Sequence, residues 1–189
     1  MTLRWSRIAR RIRVPLGFAF AAVFLWLAHP TALFLALSLL LVAPGLILRA
    51  YASGYVKKNA ELTTAGPYAH TRNPLYLGSM LIAFGFALGA RSISIAIALA
   101  VLFAVVYIPV IRSEEQYLRS IFPGFDAYAA TVPRLVPGLL PRPAPAGGAE
   151  PARGEFSLPL YRHHREYNAL IGAASMYAAL ILKLVFLRK

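Results

Sequence analysis

Two short stretches hold most of the side chains in this chain that could do chemistry. The first, Gly66 to Gly78, reads GPYAHTRNPLYLG and runs directly into the apolar SMLIAFGFALGA. Gly66-Pro67 marks a turn. Asn73 before Pro74 is held extended and is a candidate N-cap, and Pro74 is suited to the first helical position. Tyr68, His70, Arg72 and Tyr76 cluster around that turn. The first turn of a helix has free N–H groups and a positive dipole end, which suit a carboxylate or phosphate. The second stretch, Ile111 to Gly138, reads IRSEEQYLRSIFPGFDAYAATVPRLVPG. It opens on Glu114-Glu115, with Arg112, Glu115 and Arg119 spaced for helical pairs. Tyr117, Leu118, Ile121, Phe122 and Phe125 then recur at helical spacing. This amphipathic segment is expected to lie along a membrane surface and roof a pocket.

A third polar cluster, YRHHREY from Tyr161 to Tyr167, has two adjacent histidines. Neighbours on a helix point in different directions, so the stretch reads as a basic collar before an apolar helix, and no metal site is expected. The chain has no cysteine, which excludes disulfides, thiolate metal ligation and a cysteine nucleophile. Motifs of the GxSxG, P-loop, GxGxxG and HExxH kinds are missing too, which leaves serine hydrolase, nucleotide hydrolase, Rossmann and zincin readings without support.

The elements that position these stretches follow from composition. Of 189 residues, 59% are hydrophobic and only 14% charged, yet the formal net charge is +13; the mean hydropathy is +0.61. A chain both oily and basic points to a membrane protein with Lys/Arg on its cytoplasmic face, and not to a nucleic-acid binder. A spanning helix needs about 17–25 mostly apolar residues. Candidate spans are 14–28, 31–48 (with a kink expected at Pro44-Gly45), 74–90, 92–111 and 169–187. The links at His29-Pro30 and Arg91 are short enough to require tight hairpins. The basic start and apolar middle of 1–28 resemble a secretory leader. The apolar run resumes at once, however, so a retained helix is expected. The fold class is therefore an all-α, polytopic membrane helix bundle of about five transmembrane helices with a cytoplasmic pocket.

Arginine and lysine concentrate in the N-terminal arm, between spans two and three, and after span four, which alternate onto one face. The positive-inside rule places the N-terminus and both polar stretches in the cytoplasm, as in a multi-pass protein of a bacterial inner membrane. The Pro/Gly-rich PGLLPRPAPAGGAEPARGEFSLP reads as a linker. The expected organisation is a core over 1–138, a linker and basic collar over 139–165, and an additional C-terminal span over 166–189.

Gly66-Pro67-Tyr68, Arg72-Asn73-Pro74, Tyr76 and Gly78, followed by Glu114, Glu115, Leu118, Phe122, Phe125, Tyr128, Val132-Pro133-Arg134 and Pro137, resemble the paired signature of integral-membrane methyltransferases. These are the proteins related to isoprenylcysteine carboxyl methyltransferase and phospholipid N-methyltransferase. The resemblance covers about 62–137. It implies an S-adenosylmethionine-dependent methyltransferase acting on a lipophilic acceptor at the membrane interface, either an isoprenylcysteine-like carboxylate or a lipid amine. The substrate would be a small molecule or lipid-anchored, drawn from the bilayer. Carried over by position, the resemblance implies that Tyr68, Asn73, Pro74, Leu75, Tyr76 and Glu114 bind the cofactor. Leu62 and Thr63 lie in an upstream contact strip that acts mostly through backbone. His70, Arg72 and Glu115 complete the candidate cofactor set. Carboxyl-methylating relatives use an arginine one turn before the acid pair for the substrate carboxylate. Val110 stands there in this chain, and Arg112 is the nearest substitute, so Arg112 and Glu114 are the candidate catalytic residues.

Methyl transfer from a sulfonium is an in-line displacement that mostly needs positioning. Carboxylates for an amine or ribose hydroxyls, a helix N-terminus for a carboxylate, and aromatic faces for the sulfonium would supply it. His70 is a conceivable proton acceptor for an amine substrate. Two other readings are a membrane reductase of the sterol-reductase type, for which no nicotinamide 2′-phosphate clamp is evident, and a non-enzymatic membrane protein. A translocation path would often place an ionisable residue mid-span, and none of the spans has one.

Overall fold

The computed structural model describes residues 20–57, 60–141 and 155–187, and every element among them is helical. Helix α1 occupies 20–27, so only residues 14–19 of the first expected span lie outside the described residues, whereas most of the Pro/Gly-rich linker does. Helix α2 (Ala32–Ser53) starts where the Thr31 side chain accepts from the Phe34 N–H at 3.4 Å, and it continues through Pro44. A short 3₁₀ turn (Gly66–Ala69) precedes helix α3 (Pro74–Gly89). The hairpin after α3 is tight: Arg91 takes φ 52°, Ser92 caps helix α4 (Ile93–Leu102), and the His29 N–H donates to the Ala90 carbonyl at 2.7 Å.

Helix α4 does not stop at Leu102. It passes through a wider π turn (Phe103–Tyr107) into helix α5 (Ile108–Ile121), making one helix of 29 residues from Ile93 to Ile121. Pro109 explains the π turn. Its missing N–H and its ring would conflict with the carbonyl four residues earlier, at Val105, and a wider turn over Val105 relieves both. No breaker follows until Pro123, so the amphipathic segment expected on the membrane surface is instead the direct extension of the fourth span. Helix α6 (Phe125–Thr131) then folds back, and α7 (Leu158–His163) and α8 (Tyr167–Leu187) complete the chain.

Three of these helices are long and apolar enough to cross a membrane: Ala32–Ser53, Ile93–Ile121 and Tyr167–Phe186. Helix α3 has 16 residues, hence a length of about 24 Å, short of a hydrocarbon core of about 30 Å. It sits deep against α2 because its contact face is glycine. A Cβ on Gly78 would lie 2.8 Å from the Gly45 carbonyl, and one on Gly85 would lie 2.6 Å from Val42. Such close backbone approach is how small residues hold helices together in lipid. Helix α8 also packs against α2, where Ser38 and Tyr177 share a 2.7 Å hydrogen bond beside the buried Leu35, Val42, Phe86 and Leu180. A second, smaller core of Phe125, Tyr128 and Val132 packs against Leu62, Leu118 and Phe122 at the polar end of the bundle.

Candidate functional site

The two polar stretches meet because they are stitched together through the backbone. The Arg72 N–H donates to the Pro133 carbonyl at 2.9 Å, and the Gly138 N–H donates to the His70 carbonyl at 2.9 Å. The Thr71 hydroxyl donates to the carbonyls of Arg134 (3.2 Å) and Leu135 (3.1 Å). Tyr128 donates its hydroxyl to the Tyr68 carbonyl at 2.7 Å. The VPRLVPG strap thus runs along the turn that opens α3.

Asn73 occupies the N-cap position, but its side chain makes no capping bond. Its amide instead donates to the Arg134 carbonyl at 3.0 Å. The strap therefore takes the amide expected to cap α3. The first-turn N–H groups of Leu75 and Tyr76 keep the unsatisfied donors of a helix start.

The two adjacent acids have different environments. Glu115 is 6% exposed and sits between two arginines. The Arg134 guanidinium donates to it at 2.8–3.1 Å, and Arg72 Nη2 lies 3.4 Å away. Donating to the Glu115 carboxylate holds the Arg134 guanidinium even more firmly charged than usual. Glu114, one residue along, is exposed and accepts the Tyr76 hydroxyl at 2.9 Å. Among the described residues, no basic side chain lies within ion-pair distance of Glu114.

Between these walls lies a cavity of about 470 Å³. Of the residues expected to bind the cofactor, Leu62, Thr63, Tyr68, Arg72, Asn73, Pro74, Leu75, Tyr76, Glu114 and Glu115 all line it. The two walls are joined at Tyr76–Glu114 and at Arg72–Glu115. Tyr117, Leu118 and Phe125 from the expected roof line it as well. His70 does not: its Nδ1 donates to the Gly138 carbonyl at 2.9 Å, so it pins the strap. Arg112 does not either. It is exposed on α5, outside the cavity wall.

Burial raises the hydroxyl pKa of both Tyr68 and Tyr128, so at neutral pH they are hydrogen-bonding hydroxyls and not bases. Two buried polar atoms of the wall have no protein partner, Thr63 Oγ1 and Arg72 Nε. Buried polar groups are otherwise almost always satisfied, so these two mark where a polar ligand would bond.

Sequence reasoning missed part of the wall. Arg49, Ser79, Tyr107 and Glu166 also line the cavity. Tyr107, re-aimed by the π turn, packs edge-on to Tyr76 with ring centroids 5.6 Å apart. Arg49 and Glu166 form a bidentate ion pair, Nε to Oε2 at 3.0 Å and Nη2 to Oε1 at 2.9 Å. The available signals were an arginine inside the apolar run of α2 and a single acid inside the basic collar.

Residues 45–124 match the model of the phospholipid methyltransferase family, so the resemblance to integral-membrane methyltransferases read from the paired motifs holds. Two curated relatives match the same length of chain. The cobalt-zinc-cadmium resistance protein CzcN of Cupriavidus metallidurans is 40% identical over 89 residues, covering 47% of this chain and 40% of its own. The nickel-cobalt-cadmium resistance protein NccN of Alcaligenes xylosoxydans xylosoxydans is 43% identical over 89 residues, covering 47% and 41%. The matched region spans about two fifths of the length of these relatives. No solved structure matches.

Proposed function

We propose, starting from the family match over residues 45–124, that the protein is an S-adenosylmethionine-dependent methyltransferase acting on a lipophilic acceptor at a membrane interface. The observation that carries this reading is the charge arrangement of the cavity. Among the described residues, Glu115, Glu61 and Glu166 are each paired with a basic group, and Glu114 is not. A cavity whose free charge is one carboxylate suits a ligand bearing a cationic end.

The donor set fits the cofactor. Glu114, oriented by Tyr76, would take its ammonium or ribose hydroxyls. The uncapped first turn of α3, at Leu75 and Tyr76, would take its carboxylate. Thr63 Oγ1 and Arg72 Nε would find their missing partners in its polar atoms. The rings of Tyr76 and Tyr107 offer faces for a sulfonium. When bound, the cofactor supplies an electrophilic methyl group. The protein's own work is to fix the line of approach and exclude water, the part of such a reaction in which positioning lowers the barrier most. The Phe125–Tyr128–Val132 core supports the roof that would exclude water.

A lipophilic acceptor would enter from the bilayer side, past Ser79 and Tyr107, and the cofactor from the Arg-rich side, which the positive-inside rule places in the cytoplasm of a bacterial cell. The test is to incubate membranes containing the protein with labelled S-adenosylmethionine, extract the lipids and identify labelled species by mass spectrometry. Label should appear with the wild-type protein and be lost with Glu114→Gln. Equal labelling by both proteins, or none by either, would overturn the reading.

A further inference from the structure

The Arg49–Glu166 pair joins three helices at the cavity wall. Arg49 lies one turn from the end of α2, and its stem fills the space over Gly78, where a Cβ would come within 2.6 Å of Arg49 Cγ. Its Nη1 donates to the Leu75 carbonyl at 3.4 Å and to the Ser79 hydroxyl, both on α3. Its Nε and Nη2 donate to Glu166, which immediately precedes α8. Four of the five N–H donors of a guanidinium are therefore taken within the protein. The two side chains are 23% and 13% exposed. The segment bearing Glu166 is fastened to the same end of α2, since His164 Nδ1 donates to the Ser53 carbonyl at 3.0 Å and the Ser157 N–H donates to the Gly54 carbonyl at 2.9 Å.

An arginine in a low-dielectric wall would otherwise be an anion receptor, because its planar fork matches a carboxylate. Here Glu166 already fills that fork. Arg72, the other arginine of the wall, turns its Nη2 to Glu115 and leaves only its buried Nε unpartnered. The cavity thus has two arginines, and neither offers an open bidentate fork to an acceptor carboxylate. Glu166 also lies outside the segment matched to the phospholipid methyltransferase family, so this feature belongs to the chain's own C-terminal part.

We propose that Glu166 is a specificity-determining residue. By masking Arg49 it bars acceptors that carry an anionic group at the α2–α3–α8 wall, and it leaves the site to acceptors with an uncharged nucleophile. This rests on the methyltransferase reading above. Removing the acid should unmask Arg49 and admit anions, since a charge-assisted fork is stronger than a neutral contact.

The test uses the full chain in a neutral detergent and two probes of equal chain length, dodecanoate and methyl dodecanoate, with S-adenosylhomocysteine titrated separately by calorimetry. Wild type should bind S-adenosylhomocysteine and show no preference for dodecanoate over its ester. E166Q should gain about tenfold for dodecanoate relative to the ester. The double variant R49Q/E166Q should lose that gain. An unchanged ratio in E166Q, or a gain that persists in the double variant, overturns the proposal. Absence of S-adenosylhomocysteine binding to wild type would instead sink the methyltransferase reading itself. If E166Q is too unstable to purify, E166D serves. Its shorter carboxylate should release part of the fork and give a smaller gain, and no gain would count against the proposal.

Discussion

The Tyr76 hydroxyl donates to Glu114 Oε2 at 2.9 Å, joining the first turn of α3 to helix α5. This bond orients the only carboxylate of the cavity wall that has no ion partner among the described residues. Tyr76→Phe removes it while keeping the ring against Tyr107. S-adenosylhomocysteine binding should weaken about tenfold, consistent with losing a hydrogen bond to a charged group, and the melting temperature should hold. Calorimetry beside a thermal melt checks both.

Glu115 should behave in the opposite way to Glu114. Its carboxylate is buried between Arg72 and Arg134, so Glu115→Gln leaves two cations without their counter-charge. Removing one partner of a buried pair costs about 3–5 kcal/mol; with Arg134 partly exposed, a loss near the lower end, about 3 kcal/mol, is expected. Thermal unfolding in detergent should show a clear drop for Glu115→Gln and almost none for Glu114→Gln.

Tyr128→Phe tests the strap. It deletes the buried 2.7 Å bond to the Tyr68 carbonyl and leaves that acceptor unsatisfied, at a cost of about 1–3 kcal/mol. Burial also raises the Tyr128 hydroxyl above its ordinary pKa of 10.0. A raised folded-state pKa means that stability is intact below about pH 10 and falls as pH rises beyond it. Melting curves from pH 8 to 11 should show this alkaline loss in wild type and a smaller one in Tyr128→Phe.

The α2–α3 contact is backbone against backbone at Gly45 and Gly78, where an added Cβ meets the opposite carbonyl at 2.8 Å. Gly78→Ala should destabilise by about 1–3 kcal/mol, in the range of overpacking, and loosen the cavity, since α3 carries Leu75, Tyr76 and Ser79. Gly172→Ala on α8, with nothing within 4 Å of its added Cβ, is the matched control and should not lower the melting temperature.

Much of this could be read in the sequence because the signals are local. Long apolar runs gave the helices, and the turn at Asn73-Pro74 and the acid pair at Glu114-Glu115 marked the two walls. Three features needed the tertiary structure. Asn73 was a sound N-cap by type, yet a strap some sixty residues away claims its amide. Nothing near Arg49 in the chain identifies Glu166, 117 positions on, as its partner. Arg112 is a candidate only as the nearest substitute for the arginine position that Val110 holds. Rotation around α5 leaves it exposed, while Glu114 and Glu115 reach the cavity. His70 shows the same limit: residue type suggested chemistry, and its bond to Gly138 makes it a fastener.

The central claim is that Glu114 holds the cofactor in the cavity between α3 and α5. The most direct measurement is calorimetric titration of S-adenosylmethionine into purified wild type, Glu114→Gln and Arg112→Ala in detergent. Wild type and Arg112→Ala should bind with the same affinity, and Glu114→Gln should bind at least tenfold more weakly, as expected for losing a charged hydrogen-bond partner, with an unchanged melting temperature. Unchanged affinity in Glu114→Gln, or no binding to wild type, would contradict the account.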